Sequence, residues 1–355
     1  MKDNYLWDGS GEPDPEIQKL ETTLGRFRHQ GTVPEFPEVA RADRATMRPR
    51  IFSARFSLGL AAAAAIVLAI AAFSFLRRDS NPATRPGWDV QRTAGTPRVG
   101  WTAIGKNGKT GKLGIGQTLV TDGKSRATIS VSEIGEVRVE PNTRLRVVAR
   151  GQGNNRLSLE RGTIHAAIWA PPGDFVVDTP SAVAVDLGCA YTLQVDDSGA
   201  GLLRTTLGWV GFKLNNREAF IPAGAVCATR PRIGPGTPYF EDASESFRAS
   251  LYKFDFGGLP PAQRSTELGF ILKDARPRDA LTIWHLLARV SDADRDRVYD
   301  RLVSLVPAPA GVTRDGILHL DQTMLDLWWN ALDLGDVTLW RTWERSGFPS
   351  KISEK

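Results

Sequence analysis

Residues 126–149, RATISVSEIGEVRVEPNTRLRVVA, alternate apolar and polar side chains through three short runs: Ala127, Ile129 and Val131; Val137 and Val139; Leu145 and Val147. A period of two puts the apolar members on one face of a strand and the polar members on the other. Ile134-Gly135-Glu136 and Glu140-Pro141-Asn142-Thr143 supply turns between the runs. The pattern continues outward. From Trp88 to about Arg230, runs such as NRLSLE, TIHAAIW, DFVVDT, AVAVDL, AYTLQV, LLRTTL, WVGFKL, EAFIP and AVCATR recur between Gly, Asn, Asp and Pro. They are short and rich in β-branched residues, with no helical crossover between them. The spacing predicts an all-β domain over 88–230, a sandwich, jelly-roll or coiled β-structure, and excludes a parallel α/β sheet.

Beyond it, residues 231–243 read as a Pro/Gly linker that opens PRIGPGTPYFE. Helical periodicity then predicts an α-helical domain over 244–348 and a tail over 349–355. Helices are expected at 280–290, 294–306 and 321–334, the second capped by Ser291 or Asp292. Trp284, Trp328, Trp329, Trp340 and Trp343 fall in this stretch, half of the chain's ten tryptophans. They are read as the core of a small helical bundle.

On the other side, residues 56–76 read FSLGLAAAAAIVLAIAAFSFL, 21 residues without a charge or proline. A helix of that length covers roughly 30 Å, one bilayer crossing. With 55 residues before it, the segment is expected to be an uncleaved anchor, followed by a linker over 77–87. Arg41, Arg44, Arg48, Arg50 and Arg55 precede it closely, and Arg77, Arg78, Arg85 and Arg92 follow it. The bias places the N-terminus in the cytoplasm and the long C-terminal part outside it. In residues 1–55, Asp14, Pro15 and Glu16 begin a helix. Ile17, Leu20, Leu24 and Phe27 form its apolar stripe, while Pro34, Pro37 and Pro49 mark a linker. Nothing else in the segment is large enough to bury the stripe, so it is expected to contact a cytoplasmic partner.

The net charge of +5 comes from the middle of the chain, where residues 77–240 carry 21 basic against 13 acidic side chains. These are dispersed through strand-like sequence without a basic stripe, so no direct nucleic-acid partner is expected. No enzyme is expected either. His29, His165, His285 and His319 never form HxxxH or HExxH. Asp292, Asp294 and Asp296 resemble a calcium loop only until Arg297 stands where glycine is required. Gly105 to Lys112 lacks the spacing of a phosphate loop and reads as a hairpin tip. Asp178 and Asp186 are placed outward on their strands. The sequence thus suggests no catalytic residue, metal, cofactor or small-molecule substrate. Cys189 and Cys227, 38 positions apart, fit either two buried thiols or a disulfide in an oxidising compartment.

Residues 119–150, then RLSLERGTIHAAI, DFVVDTPSAVAVDLGCAYTLQV, GWVGF and IPAGAVCATR, resemble the FecR-like domain over about residues 88–230. That family shows a Leu-x-x-Gly hairpin, a Thr-Pro centre leading to Gly-Thr-x-Phe, and closing Gly-x-Val and Ala-Gly strands. Here Gly-Thr-x-Phe reads Gly188-Cys189-Ala190-Tyr191. The resemblance implies a single-pass inner-membrane protein that regulates an extracytoplasmic-function sigma factor. Its cytoplasmic segment would bind the sigma factor, and its periplasmic β-domain would sense or dock an envelope or outer-membrane protein. The alternative is a membrane-tethered envelope scaffold without transcriptional output.

Overall fold

The computed structural model describes residues 87–105 and 108–345. The strands in chain order begin with β1 (Trp88–Ala94), β2 (Arg98–Val99), β3 (Thr102–Ala103), β4 (Thr110–Leu113), β5 (Thr118–Val120) and β6 (Arg126–Val131). Next come β7 (Gly135–Val139), β8 (Arg144–Ala149), β9 (Asn155–Ile168), β10 (Phe175–Asp178), β11 (Val183–Asp186) and β12 (Ala190–Val195). The series closes with β13 (Gly201–Leu207), β14 (Trp209–Leu214), β15 (Arg217–Pro222), β16 (Ala225–Arg230), β17 (Gly234–Pro235) and β18 (Tyr239–Phe240).

They form two sheets. One runs β4-β1-β6-β7-β9-β12-β13-β16, with β17 and β18 both on β16. The other runs β3-β2-β5-β8-β9-β10-β11-β14-β15. Every pairing is antiparallel except β9 with β10. The chain crosses between the sheets repeatedly, so neither sheet is complete before the last strands are laid down. Alternation decides which side chains face inward: Ile129, Val131, Val137 and Val139 from one sheet join Leu119, Leu145, Val147 and Leu157 from the other in one core.

Strand β9 belongs to both sheets and turns between them at Gly162. The Leu159-Glu160-Arg161-Gly162 motif, expected to be a hairpin, is therefore a corner inside one continuous strand. Gly162 has φ +97°, and a Cβ there would lie 2.6 Å from the Thr143 Cβ. Glycine is needed for both reasons. Thr143 Oγ1 accepts from the Thr163 amide at 3.0 Å and so replaces the ladder bond lost at the bend.

The register gives the sandwich two distinct ends. At one lie Gly162, the β7–β8 turn and the β12–β13 turn. At the other the chain enters β1, and β4–β5, β6–β7, β9–β10, β11–β12 and β13–β14 are connected.

The helices are α1 (Glu245–Phe256), α2 (Pro261–Asp274), a 3-10 turn (Pro277–Asp279), α3 (Ala280–Leu287), α4 (Asp292–Leu305), α5 (Arg314–Leu318), α6 (Gln322–Ala331) and α7 (Val337–Arg345). All eight residues of α3 are buried, six of them apolar; of the two polar ones, Thr282 donates to the Pro238 carbonyl at 2.8 Å and His285 accepts the Phe220 amide. Of the tryptophans expected to fill a helical core, Trp284, Trp329 and Trp340 do so together with the sheet, Trp328 packs on Tyr299 of α4, and the Trp343 side chain lies outside those described. Phe220 of β15 is ringed by Trp209, Trp284, Trp329 and Trp340 at centroid distances of 5.6, 6.0, 5.2 and 5.3 Å. Gly211 of β14 leaves the space that the Trp340 ring fills. The expected 231–243 linker is likewise fastened down, since β17 and β18 both pair with β16.

The apolar segment at 56–76 and the stripe of Ile17, Leu20, Leu24 and Phe27 lie outside the described residues. Among the described residues, no helix is long and apolar enough to cross a membrane.

Candidate functional site: the sheet–helix junction

The side chains that tie the helices to the sheet are polar at their centre. His285, buried on α3, accepts the Phe220 amide on Nε2 at 3.0 Å and bonds the Leu281 carbonyl through Nδ1 at 2.8 Å. That pattern requires the neutral ring with its proton on Nδ1. Burial, aided by the nearby Arg289 guanidinium, holds the His285 pKa down to about 3.

Arg289 donates to the Glu218 carbonyl at 2.7 Å and the Pro235 carbonyl at 3.2 Å, and stands 3.7 Å from Asp255. Asp255, on α1, also accepts from Arg217 at 2.7 Å and from the Thr237 amide at 2.6 Å. Burial lowers the Arg289 pKa to about 10, with the Asp255 charge opposing it. On the other flank, Arg341 bridges Glu218 at 3.0 Å and Asp326 at 3.1 Å. Trp340 Nε1 donates to Glu218 at 3.1 Å. Removing one partner of such a network strands a buried charge, which is why it fixes geometry firmly.

Beside it lies a groove of about 310 Å³ between β16 and α1, lined by Ala228, Tyr239, Arg248, Tyr252, Asp255 and Phe256. Arg230 hydrogen-bonds the Tyr252 hydroxyl across its edge. Within the junction Arg217 is held by Asp255 through Nη2, while its buried Nε has no hydrogen-bond partner among the described residues.

A second polar cluster sits where the Gly-Thr-x-Phe motif is altered. Asp186, expected to point outward, is buried, whereas Asp178 is held by Arg156 at 2.6 Å near the surface. Asp186 Oδ1 accepts the amides of Gly188 at 2.8 Å and Cys189 at 3.2 Å, closing the β11–β12 turn in which Gly188 takes φ +83°. Its Oδ2 and the Tyr191 hydroxyl are buried without a hydrogen-bond partner among the described residues. Desolvation raises the Asp186 pKa to about 6, against the opposing pull of its hydrogen bonds. The signal for this role was the Asp-x-Gly spacing of a side-chain-capped turn, which strand alternation alone does not reveal.

The structure does not bring the cysteines together. Both are free and buried. Cys227 is level with Leu203 on β13, which is level with Leu193 on β12. Cys189 is thus two strands across and four residues along, roughly 15 Å away by strand spacings and beyond the ~7 Å reach of a disulfide. The Cys227 thiol donates to the Gly236 carbonyl at 3.2 Å. Burial pushes the Cys227 pKa up to about 12 and that of Cys189 higher, the latter helped by the Asp186 charge. Neither is a poised nucleophile. His165, the nearest histidine in sequence to Cys189, is engaged by Thr192 at 2.8 Å. Among the described residues, no cluster of three or more His, Cys, Asp or Glu side chains is arranged to hold a metal ion.

Residues 117–207, from just before β5 to the end of β13, match the family described as FecR protein. Among curated proteins none matches the chain. Two crystal structures, each of a candidate anti-sigma factor from Parabacteroides distasonis, are similar to it. One, at 1.65 Å resolution, is 14% identical with a TM-score of 0.32, covering 44% of this chain and 74% of that chain. The other, at 2.50 Å, is 15% identical with a TM-score of 0.31, covering 43% and 72%.

Proposed function

We propose, from the FecR domain that residues 117–207 form, that the chain is a single-pass membrane signal-transduction protein regulating an extracytoplasmic-function sigma factor. In this reading residues 1–55 hold the sigma factor in the cytoplasm through Ile17, Leu20, Leu24 and Phe27. Residues 56–76 cross the inner membrane. The β-sandwich and its helices lie in the periplasm and receive a signal from an envelope or outer-membrane protein.

The observation that carries the proposal is the FecR match itself, which lies wholly inside the two-sheet sandwich and follows a 21-residue uncharged segment in the sequence. The junction built around His285, Arg289 and Phe220 supports it by making sandwich and helices one mechanical unit, able to pass on a load applied to either part.

Full-length chain purified from membranes in mild detergent tests the proposal. A sigma factor should co-purify, and Leu20→Asp should abolish its recovery while leaving the β-structure's near-ultraviolet dichroism unchanged. Purified chain that carries no sigma factor, and binds none when candidates are added back, would favour the scaffold reading.

A further inference from the structure

Six large apolar side chains on the described β-structure are exposed, and five of them, Trp101, Ile115, Val148, Trp169 and Leu207, lie at one end of the sandwich. Only Ile233 lies elsewhere. The placement follows from the register. Trp101 is in the β2–β3 turn beside Gly100, whose amide bonds the Thr118 carbonyl at the start of β5. Ile115 is in the β4–β5 connection, where Gly116 bonds the Val147 carbonyl next to Val148. Trp169 follows β9 and bonds the Ile134 carbonyl in the β6–β7 turn, while Leu207 pairs with Ala190.

Trp101 is 94%, Trp169 64% and Ile115 62% exposed, values that a soluble surface rarely concentrates at one end. This is also the end where the chain enters the sandwich, since Trp88 pairs with Leu113 immediately before the Ile115 connection. Ten residues, 77–86, separate Gly87 from the apolar 56–76 segment. Even fully extended they reach at most ~36 Å.

We infer that this end of the sandwich docks on the lipid surface from which the chain emerges, its two tryptophans and Ile115 seated at the headgroup level. The inference rests on the single-pass reading above and adds a fixed orientation of the β-domain to it. Tryptophan suits that depth, because its ring is apolar and its N–H still finds a polar partner. Charge does not drive the contact: Asp89, Glu133 and Asp174 at this end stand against Lys112, Arg146 and Arg150. Docking therefore needs no anionic lipid and resists salt, unlike a polybasic patch. With this apolar end held to the bilayer, the domain presents its Gly162 end away from the membrane.

The full chain in phosphatidylcholine nanodiscs tests this. Glu133→Cys, exposed in the β6–β7 turn, takes an environment-sensitive fluorophore while Cys189 and Cys227 stay buried. Asp197→Cys, at the opposite end, is the control. Brominated acyl chains should quench the label at 133 at least about threefold more than at 197. Trp101→Ser combined with Trp169→Ser should bring the two together. Equal, weak quenching at both positions in chain that is incorporated in the disc would overturn the docking and leave the span intact. Energy transfer between copies labelled at 133, with no lipid quenching, would assign the patch to a second copy and equally overturn it. Chain that does not incorporate at all would sink the span and the docking together.

Discussion

Lowering the pH from 7 to 4 should move this fold in two opposite directions at once, through His285 and Asp186. His285 has a pKa near 3 in the folded chain against about 6.5 unfolded. Its stabilisation is present above pH 6.5 and is lost as the pH falls, because only the unfolded chain takes up the proton. Asp186 has a folded pKa near 6 against about 3.8 unfolded. Its contribution has the other sign: present below pH 3.8 and lost as the pH rises through 6. Each factor of ten in proton affinity is worth about 1.4 kcal/mol, so between pH 7 and 4 His285 costs the folded state about 3 kcal/mol and Asp186 returns about 2. The wild-type chain should therefore change little from these two groups. His285→Gln should gain about 2 kcal/mol over the same interval relative to its own stability at pH 7, and Asp186→Asn should lose about 3. Surface carboxylates held low by their partners, such as Asp242 and Asp300, are common to all three chains and cancel in the comparison. Urea unfolding of the full chain in detergent at pH 4, 5, 6 and 7, followed by tryptophan emission, reads the three profiles. Parallel profiles would refute the burial and neutral state assigned to His285, and the turn geometry assigned to Asp186.

Gly162→Ala should cost about 3 kcal/mol, since it forces an alanine to φ +97° against Thr143; a loss below about 1 kcal/mol in the urea midpoint would contradict the corner. Phe220→Ala should cost about 4 kcal/mol and red-shift the tryptophan emission, because four tryptophans pack on that ring; an unchanged melt would mean the helices have their own core. Both cysteines should alkylate only after unfolding, and mass spectrometry of the non-reduced chain should find no linked Cys189–Cys227 peptide. Such a peptide would show the β12–β13–β16 register to be wrong.

The strands were legible because a half-buried strand must alternate, and Ala127, Ile129 and Val131 or Leu145 and Val147 could not hide it. The helices were legible for the same kind of reason: α4 and α6 begin and end within three residues of where their apolar spacing puts them. What stayed hidden depended on tertiary placement. A glycine after Leu159-Glu-Arg signals a change of direction, but a hairpin and a corner ask the same positive φ of it, and only Thr143 packed against it distinguishes them. Asp186 alternates like an outward residue, and the two amides that draw its carboxylate in belong to the turn that follows. Trp284, Trp329 and Trp340 announce a core without saying whose, because the hollow they fill is made by Gly211 and Phe220 on other elements. The cysteines depended on a register that spacing along the chain does not encode.

Sigma-factor control across the inner membrane requires one chain to place its N-terminal segment and its β-domain on opposite sides of a bilayer. Paired fusions of a reporter active only outside the cytoplasm, one after residue 40 and one after residue 240, measure this in intact cells. The fusion at 240 should give signal and the fusion at 40 none; signal from 40 with silence at 240, or silence at both from well-expressed fusions, would contradict the proposed topology.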